Sequence, residues 1–147
     1  MRARAASRAD FEAVSALLEE LGRPAVTDGT RDDCLAVFEQ QVVDANAHHI
    51  VAEDDDGRVV AFCSLHFRER LNFTTHEAWV PDLIVTEHAR RQGVAFAILE
   101  EVERRARARE CHAITLESAY FRAEAHHLYR TFHMRDTGKS FYKPLSY

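Results

Sequence analysis

Long apolar runs are missing from this chain: no stretch approaches the roughly 20 residues that a membrane-spanning helix requires, so no membrane partner is expected. The opening "MRARAASRAD" is charged and leads into an amphipathic segment rather than the apolar core of a secretory signal, and a cytoplasmic protein is expected. Cysteine is scarce. Cys34, Cys63 and Cys111 are odd in number, far apart and form no CxxC, which argues against a disulfide framework or a zinc knuckle and fits buried thiols in a reducing cytosol. Five glycines and three prolines nowhere cluster into a linker, and there is no repeat or low-complexity tract. The 147 residues are therefore expected to form a single domain, 1–147, large enough to bury its own core. A basic excess is missing too: Lys and Arg total 19 against 24 Asp and Glu, a formal net charge of -5. Phosphate neutralisation asks for a basic domain, so no nucleic-acid partner is expected. Histidine is plentiful, with nine. Yet there is no HExxH, and the neighbours His48 and His49 would point to opposite faces of a strand, so no metal is expected.

What is present is a change of period along the chain. Ser7 can cap a helix carrying Phe11, Val14, Leu17, Leu18 and Leu21, with Gly22 and Pro24 as its stop. Asp28 to Asn46 predicts a second helix with Leu35, Phe38, Val42 and Val43 on its apolar face. "HHIVAEDDDGRVVAFCSLHF" then alternates as two strands around an Asp-Gly turn. A loop over Arg68 to His76 leads to a strand from about Glu77 to Val85. Next come a helix from Gly93 to Arg109, a strand "HAITLES", a short helix "AEAHHLYRTF" and a last strand "SFYKPL". On the outer face of the long helix, Glu100, Glu101 and Glu103 stand four residues before Arg104, Arg105 and Arg107, the favourable order for ion pairs. The order β-α-α-β-β-β-α-β-α-β predicts an α/β (α+β) fold, a mixed central sheet with helices on both faces. Hairpin strands argue antiparallel pairing early, and the strand–helix–strand crossover argues a parallel pair late.

The stretch "VPDLIVTEHARRQGVAFAILEEV", from Val80 to Val102, carries the chemistry. The first turn of a helix has backbone N–H groups without internal partners, and the peptide dipoles make that end positive. Gly93 and the small Ala95 let an anion approach those amides, while Arg90 and Arg91 add charge and donors. Read locally, RxxGxA suits either an anion cradle or a plain helix start flanked by surface arginines. There is no GxxxxGK[ST] and no GxGxxG, which sets aside a P-loop and a dinucleotide-binding unit.

"LIVTEHARRQGVA" resembles the acyl-CoA-binding segment of the GNAT superfamily of N-acyltransferases, whose members carry [QR]-x-x-G-x-[GA] directly after a central strand. Arg90, Gly93 and Ala95 fill the three defining places. The likeness spans nearly the whole chain, since the element order is that of the family and "RAASRADFEAVSALLEELG" resembles its opening strand and helix. It implies acetyl-CoA as acyl donor, with the pyrophosphate on the amides of Arg91, Gln92, Gly93, Val94 and Ala95. The pantetheine arm would pair with the strand at Leu83, Ile84 and Val85, where a splay from "ITLES" admits the thioester.

"ESAYFRAEAHHLYRTFHMRDTGKSFYKPL" resembles the family's C-terminal segment, with Ala125, His126, Leu128 and Tyr129 in register. By that likeness Tyr129 protonates the departing thiolate as general acid. Ser118 helps hold the cofactor, and Arg122 and His126 are weaker candidates for the same end. The family's Gly-Phe is here His133-Met134, so the left-handed helix end expected of a glycine would carry strain, and the acceptor-pocket floor departs from the pattern. Asp82, with Glu77 nearby, can take the proton that an ammonium substrate must lose, directly or through water. The expectation is acetyl transfer to a primary amine of a small molecule or peptide, direct and within a ternary complex. The rival is a catalytically idle acyl-CoA-binding sensor or partner domain that shares the loop. Family habit is the only ground for expecting a homodimer, and no residue names the acceptor.

Overall fold

Strand β1 (Arg2–Ala5) leads through a single 3-10 turn into helix α1 (Phe11–Leu21), and helix α2 (Arg31–Val42) follows. This is a computed structural model, and it describes residues 1–117 and 123–145. The chain separates into two compact units, Met1–Leu116 and Glu117–Tyr147. The first unit continues with five strands: β2 (Ile50–Glu53), β3 (Val59–Cys63), β4 (His66–Arg68), β5 (Glu77–Val80) and β6 (Leu83–Val85). Helix α3 (Val94–Ala108) and strand β7 (Ala113–Leu116) complete it. The fold is the expected mixed α/β arrangement.

The strands form two sheets. Strands β1-β2-β3-β6 are antiparallel throughout; in β4-β5-β7 the β4–β5 pair is antiparallel and β5–β7 parallel. Period-two alternation sorts the side chains. Val51, Phe62 and Ile84 pack on one face against Phe11, Val14, Leu17 and Leu21 of α1 and Phe38 of α2. Ile50, Ala52, Ala61 and Val85 turn the other way, joining Leu65, Phe67, Ala78 and Val80 beneath Val94, Ile98, Val102 and Ala106 of α3. Each buried Val, Leu, Ile or Phe among them contributes about 1.5–3 kcal/mol, and each alanine about 0.8 kcal/mol.

One expected strand is two. The run from Glu77 to Val85 breaks at Pro81-Asp82, opposite a matching break at Ser64-Leu65 between β3 and β4. Proline brings no N–H to a ladder. In its place Ser64 and Asp82 bond each other three ways. The Ser64 amide donates to the Asp82 carbonyl (3.0 Å), the Asp82 amide to Ser64 Oγ (2.8 Å), and Ser64 Oγ to Asp82 Oδ2 (2.9 Å).

On α3, Glu101 takes both Arg104 and Arg105, and Glu103 takes Arg107. Arg104 turns to Glu101 rather than the expected Glu100 because two of its nitrogens reach that one carboxylate, at 2.5 and 2.9 Å.

In the second unit, helix α4 (Ala123–Thr131) ends in a left-handed residue after all: His133 has φ 64°. Both bonds of a Schellman turn form, from the His133 amide to the Arg130 carbonyl (2.9 Å) and from the Met134 amide to the Tyr129 carbonyl (2.9 Å). The last strand expected over residues 140–145 is instead irregular, with Phe141 and Tyr142 exposed. A strand needs a partner for its ladder, and among the described residues this segment has none.

Candidate active site

The turn from β6 into α3 is wound by two left-handed residues, Arg91 at φ 62° and Gly93 at φ 78°. Such a reversal turns successive N–H groups toward one concavity, where a helix dipole adds to them. Gly93 is the N-cap of α3, which takes no side-chain cap and has no acidic residue in its first turn. A Cβ built on Gly93 would meet no protein atom within 4 Å, so the glycine serves the left-handed backbone and leaves open space in front of the amides. Among the described residues no side chain accepts from the Val94 or Ala95 amide at the start of this helix, which is what an anion requires.

Arg90 faces inward rather than toward that space. Its Nε donates to the Val85 carbonyl (2.9 Å) and its Nη2 to Glu20 Oε1 (3.3 Å). Glu20, near the end of α1, also accepts from Thr86 Oγ1 (2.9 Å) and the Glu87 amide (3.0 Å). One carboxylate thus fixes both ends of the turn. Sequence reading missed Glu20: on an amphipathic helix it looks like any solvent-facing acid, and its partners lie more than sixty residues away. Gln92 donates to the His88 carbonyl (3.3 Å) and closes the same turn.

Among the described residues, strand β6 is bonded on one side only. The Ser64 amide reaches the Asp82 carbonyl and the Thr86 amide the Val60 carbonyl (2.8 Å), which with the register Phe62↔Ile84 points residues 82, 84 and 86 at β3. Leu83 and Val85 therefore point their main-chain groups away. On that side the parallel pairing of β5 with β7 stops at Val80↔Leu116, and among the described residues β6 pairs with β3 alone. The outward Val85 carbonyl is taken by Arg90; the Leu83 and Val85 amides line an open strand edge.

The expected proton acceptors are both engaged. Asp82 Oδ1 receives Arg23 Nε (2.8 Å) while Oδ2 receives the Ser64 hydroxyl. Glu77 is buried, and its Oε2 accepts from Arg68 Nε (2.6 Å) and Arg70 Nη1 (3.1 Å). Burial would raise the pKa of Glu77, but those hydrogen bonds hold it below the ordinary carboxylate range.

Residues 12–134 match the model of the acetyltransferase (GNAT) family. The chain belongs to that family. Among curated protein sequences none matches this one. Solved structures share its fold. A transcriptional regulator from Bacillus halodurans superposes with a TM-score of 0.89 at 20% identity, over 98% of this chain and 99% of its own. An aminoglycoside antibiotic 6'-N-acetyltransferase from Acinetobacter baumannii gives 0.81 at 19% identity, over 99% and 98%. A ribosomal-protein-alanine N-acetyltransferase from Brucella melitensis gives 0.76 at 17% identity, over 99% and 100%. Acetyl transfer is accordingly the general activity of this GNAT chain.

Of the remaining expected site residues, Tyr129 lies on α4 in the second unit, half-buried, and its carbonyl closes the helix end at Met134. Ser118 and Arg122 lie outside the described residues. No helix is long and apolar enough to cross a membrane, and no group of three or more metal-ligating side chains occurs, among the described residues.

Proposed function

We propose that this GNAT chain is an acetyl-CoA-dependent N-acetyltransferase that moves the acetyl group directly to a primary amine of a small molecule or peptide. The observation that carries the reading is the coincidence of two open sets of main-chain donors. They are the start of α3 beyond Gly93 and the outward amides of Leu83 and Val85, on the edge of β6 that pairs with no strand among the described residues. A pyrophosphate suits the first, with its charge met by the helix dipole. An extended arm of amides and carbonyls suits the second, pairing as an added strand, with a thioester oxygen polarised by a strand amide.

Amine attack forms the C–N bond at the thioester carbonyl and breaks C–S. An ammonium substrate loses two protons in becoming an amide; one ends on the thiol and one in solvent. In this reading Tyr129 gives the thiolate its proton and recovers one from the nitrogen, and Ser118 helps hold the cofactor. Asp82 fixes the break beside Leu83 and supplies negative charge there. Most of the rate gain comes from holding amine and thioester together and from the oxyanion contact. The two solved acetyltransferases named above support an amine acceptor in kind, not in identity.

The test is calorimetry with coenzyme A followed by acetyl transfer to a polyamine, an aminoglycoside and a peptide with N-terminal alanine. Binding with turnover is expected, together with a fall of 10²-fold or more in kcat for Tyr129→Phe at unchanged affinity for coenzyme A. Binding without turnover of any amine would instead establish an idle acyl-CoA-binding domain. No heat with coenzyme A would end both.

A further inference from the structure

Leu65 and Phe67 point into the core beneath α3, so His66 and Arg68 stand on the opposite face of β4. Their cross-strand partners Trp79 and Glu77 share that face. Glu77 and Arg68 satisfy each other, and Arg68 also lies over the Trp79 ring at 4.4 Å. His49, on the same side, is saturated. Its Nδ1 accepts the Leu65 amide (3.1 Å), which places the ring proton on Nε2, donated to Gln41 Oε1 (2.6 Å). His66 differs from all of these. Its ring lies 5.0 Å from that of His49 and 5.6 Å from that of Trp79, half-buried, and makes no hydrogen bond among the described residues. Both its nitrogens are left for something the described residues do not supply.

Its place along the sheet matters as much. His66 follows the Ser64-Leu65 break, which Ser64 ties to Asp82, and Asp82 leads directly into Leu83 at the start of the free edge. Across the break the backbones of His66 and Leu83 are about three residue rises apart, ~10 Å, a gap that an imidazole side chain and an amine together span. Resting on the acetyl-transfer reading above, we propose that His66 is the general base that takes the proton from the acceptor's ammonium group before attack. The imidazole lone pair receives that proton, the freed amine forms the C–N bond, and the imidazolium returns its proton to solvent after transfer.

The surroundings suit the task. Burial lowers the pKa of His66 below its ordinary value, so the ring is neutral at neutral pH; Asp82 and Asp44 pull it upward and Arg68 pulls it down. His49 beside it stays uncharged and adds no repulsion at neutral pH, because burial pushes its own pKa down to about 4. Asp82, whose oxygens are held by Arg23 and Ser64, acts through its charge on the imidazolium.

Trp79 is the only tryptophan, so it reports on His66 without any turnover: an imidazolium against the indole quenches it more than a neutral ring does. The test is a fluorescence pH titration of the intact protein and of His66→Gln, with coenzyme A calorimetry and acetyl transfer on both. A quenching step with a midpoint below 6.5 is expected in the parent and absent in the variant. His66→Gln should lose 10²-fold or more in kcat/KM for the best alkylamine of the panel at unchanged coenzyme A affinity. It should lose far less with a weakly basic hydrazide that is already neutral. Imidazole in the buffer should restore part of the rate to His66→Ala. An identical fluorescence titration in His66→Gln, or equal losses with both nucleophiles, overturns the role while acetyl transfer stands. Turnover of no amine by a protein that binds coenzyme A overturns both, and failure to bind coenzyme A overturns the cofactor assignment itself.

Discussion

Gly93 and Gly57 make a matched pair at the scale of single residues. Both have φ near +80°, at 78° and 80°, and at neither would an added Cβ meet a protein atom within 4 Å. Alanine at either should therefore cost about 1 kcal/mol from left-handed strain, the same in kind at the two places. Gly57 sits in the β2–β3 hairpin turn, where Asp54 already accepts from the Asp56 and Arg58 amides. Gly93 sits before the uncapped amides of α3. Gly93→Ala should lose roughly tenfold or more in coenzyme A affinity while Gly57→Ala keeps it, with denaturation midpoints falling alike; calorimetry beside urea melts reads both quantities. Equal affinities in the two variants would show that the glycine serves the backbone alone. The neighbouring Arg91 pays the same left-handed cost without glycine's freedom. A chain that accepts a strained residue beside an open helix start is holding a loop shape that plain strand-to-helix connection does not need.

Among elements, β6 is the end strand that runs straight into the Gly93 turn, and proline tells its two edges apart. At Val85 the N–H points outward, so Val85→Pro removes a donor that no main-chain group among the described residues uses, and the preceding Ile84 already has the extended backbone that proline demands. At Ile84 the N–H faces Phe62, so Ile84→Pro breaks the ladder. Val85→Pro should keep a cooperative thermal transition and lose about fivefold in acetyl-CoA affinity, one hydrogen bond's worth of ~1 kcal/mol; Ile84→Pro should fail to fold cooperatively. Thermal melts and calorimetry on the two variants check it.

How far β6 was legible is instructive. Its apolar letters, the turn after it and the helix beyond all stand in the sequence, because period and glycine placement are local. The break at Pro81-Asp82 was not read, since it depends on Ser64 from another strand. Glu20 and His66 escaped for the same reason: a carboxylate or imidazole gains its meaning from groups that only folding brings beside it. The last strand was predicted from its apolar letters and is irregular, because strand propensity without a partner edge fixes nothing.

Across the whole molecule, the buried ionisable groups divide acid sensitivity into two windows. Asp10 is buried and bound by the two terminal Arg4 nitrogens at 2.8 Å, and that hydrogen bonding, against the opposing effect of burial, holds its pKa below the ordinary carboxylate value. Its stabilisation is present above its unfolded pKa and is lost only as the pH falls below about 4. His49 acts sooner. Burial brings its pKa from 6.5 in the unfolded chain to about 4, so the unfolded state binds the proton more readily, and stability falls as the pH drops from about 6.5 toward 4. Two and a half units correspond to about 3 kcal/mol, an appreciable share of a domain's total. Urea unfolding between pH 7.5 and 4.5 should show that decline. His49→Asn keeps an acceptor for the Leu65 amide but cannot be protonated; it should start less stable at pH 7.5 and show a much flatter dependence over the same range. A parent curve that is flat between pH 6.5 and 4.5 would mean that His49 Nδ1 takes its proton at no cost, and that the Leu65 amide bond it then gives up contributes nothing to stability.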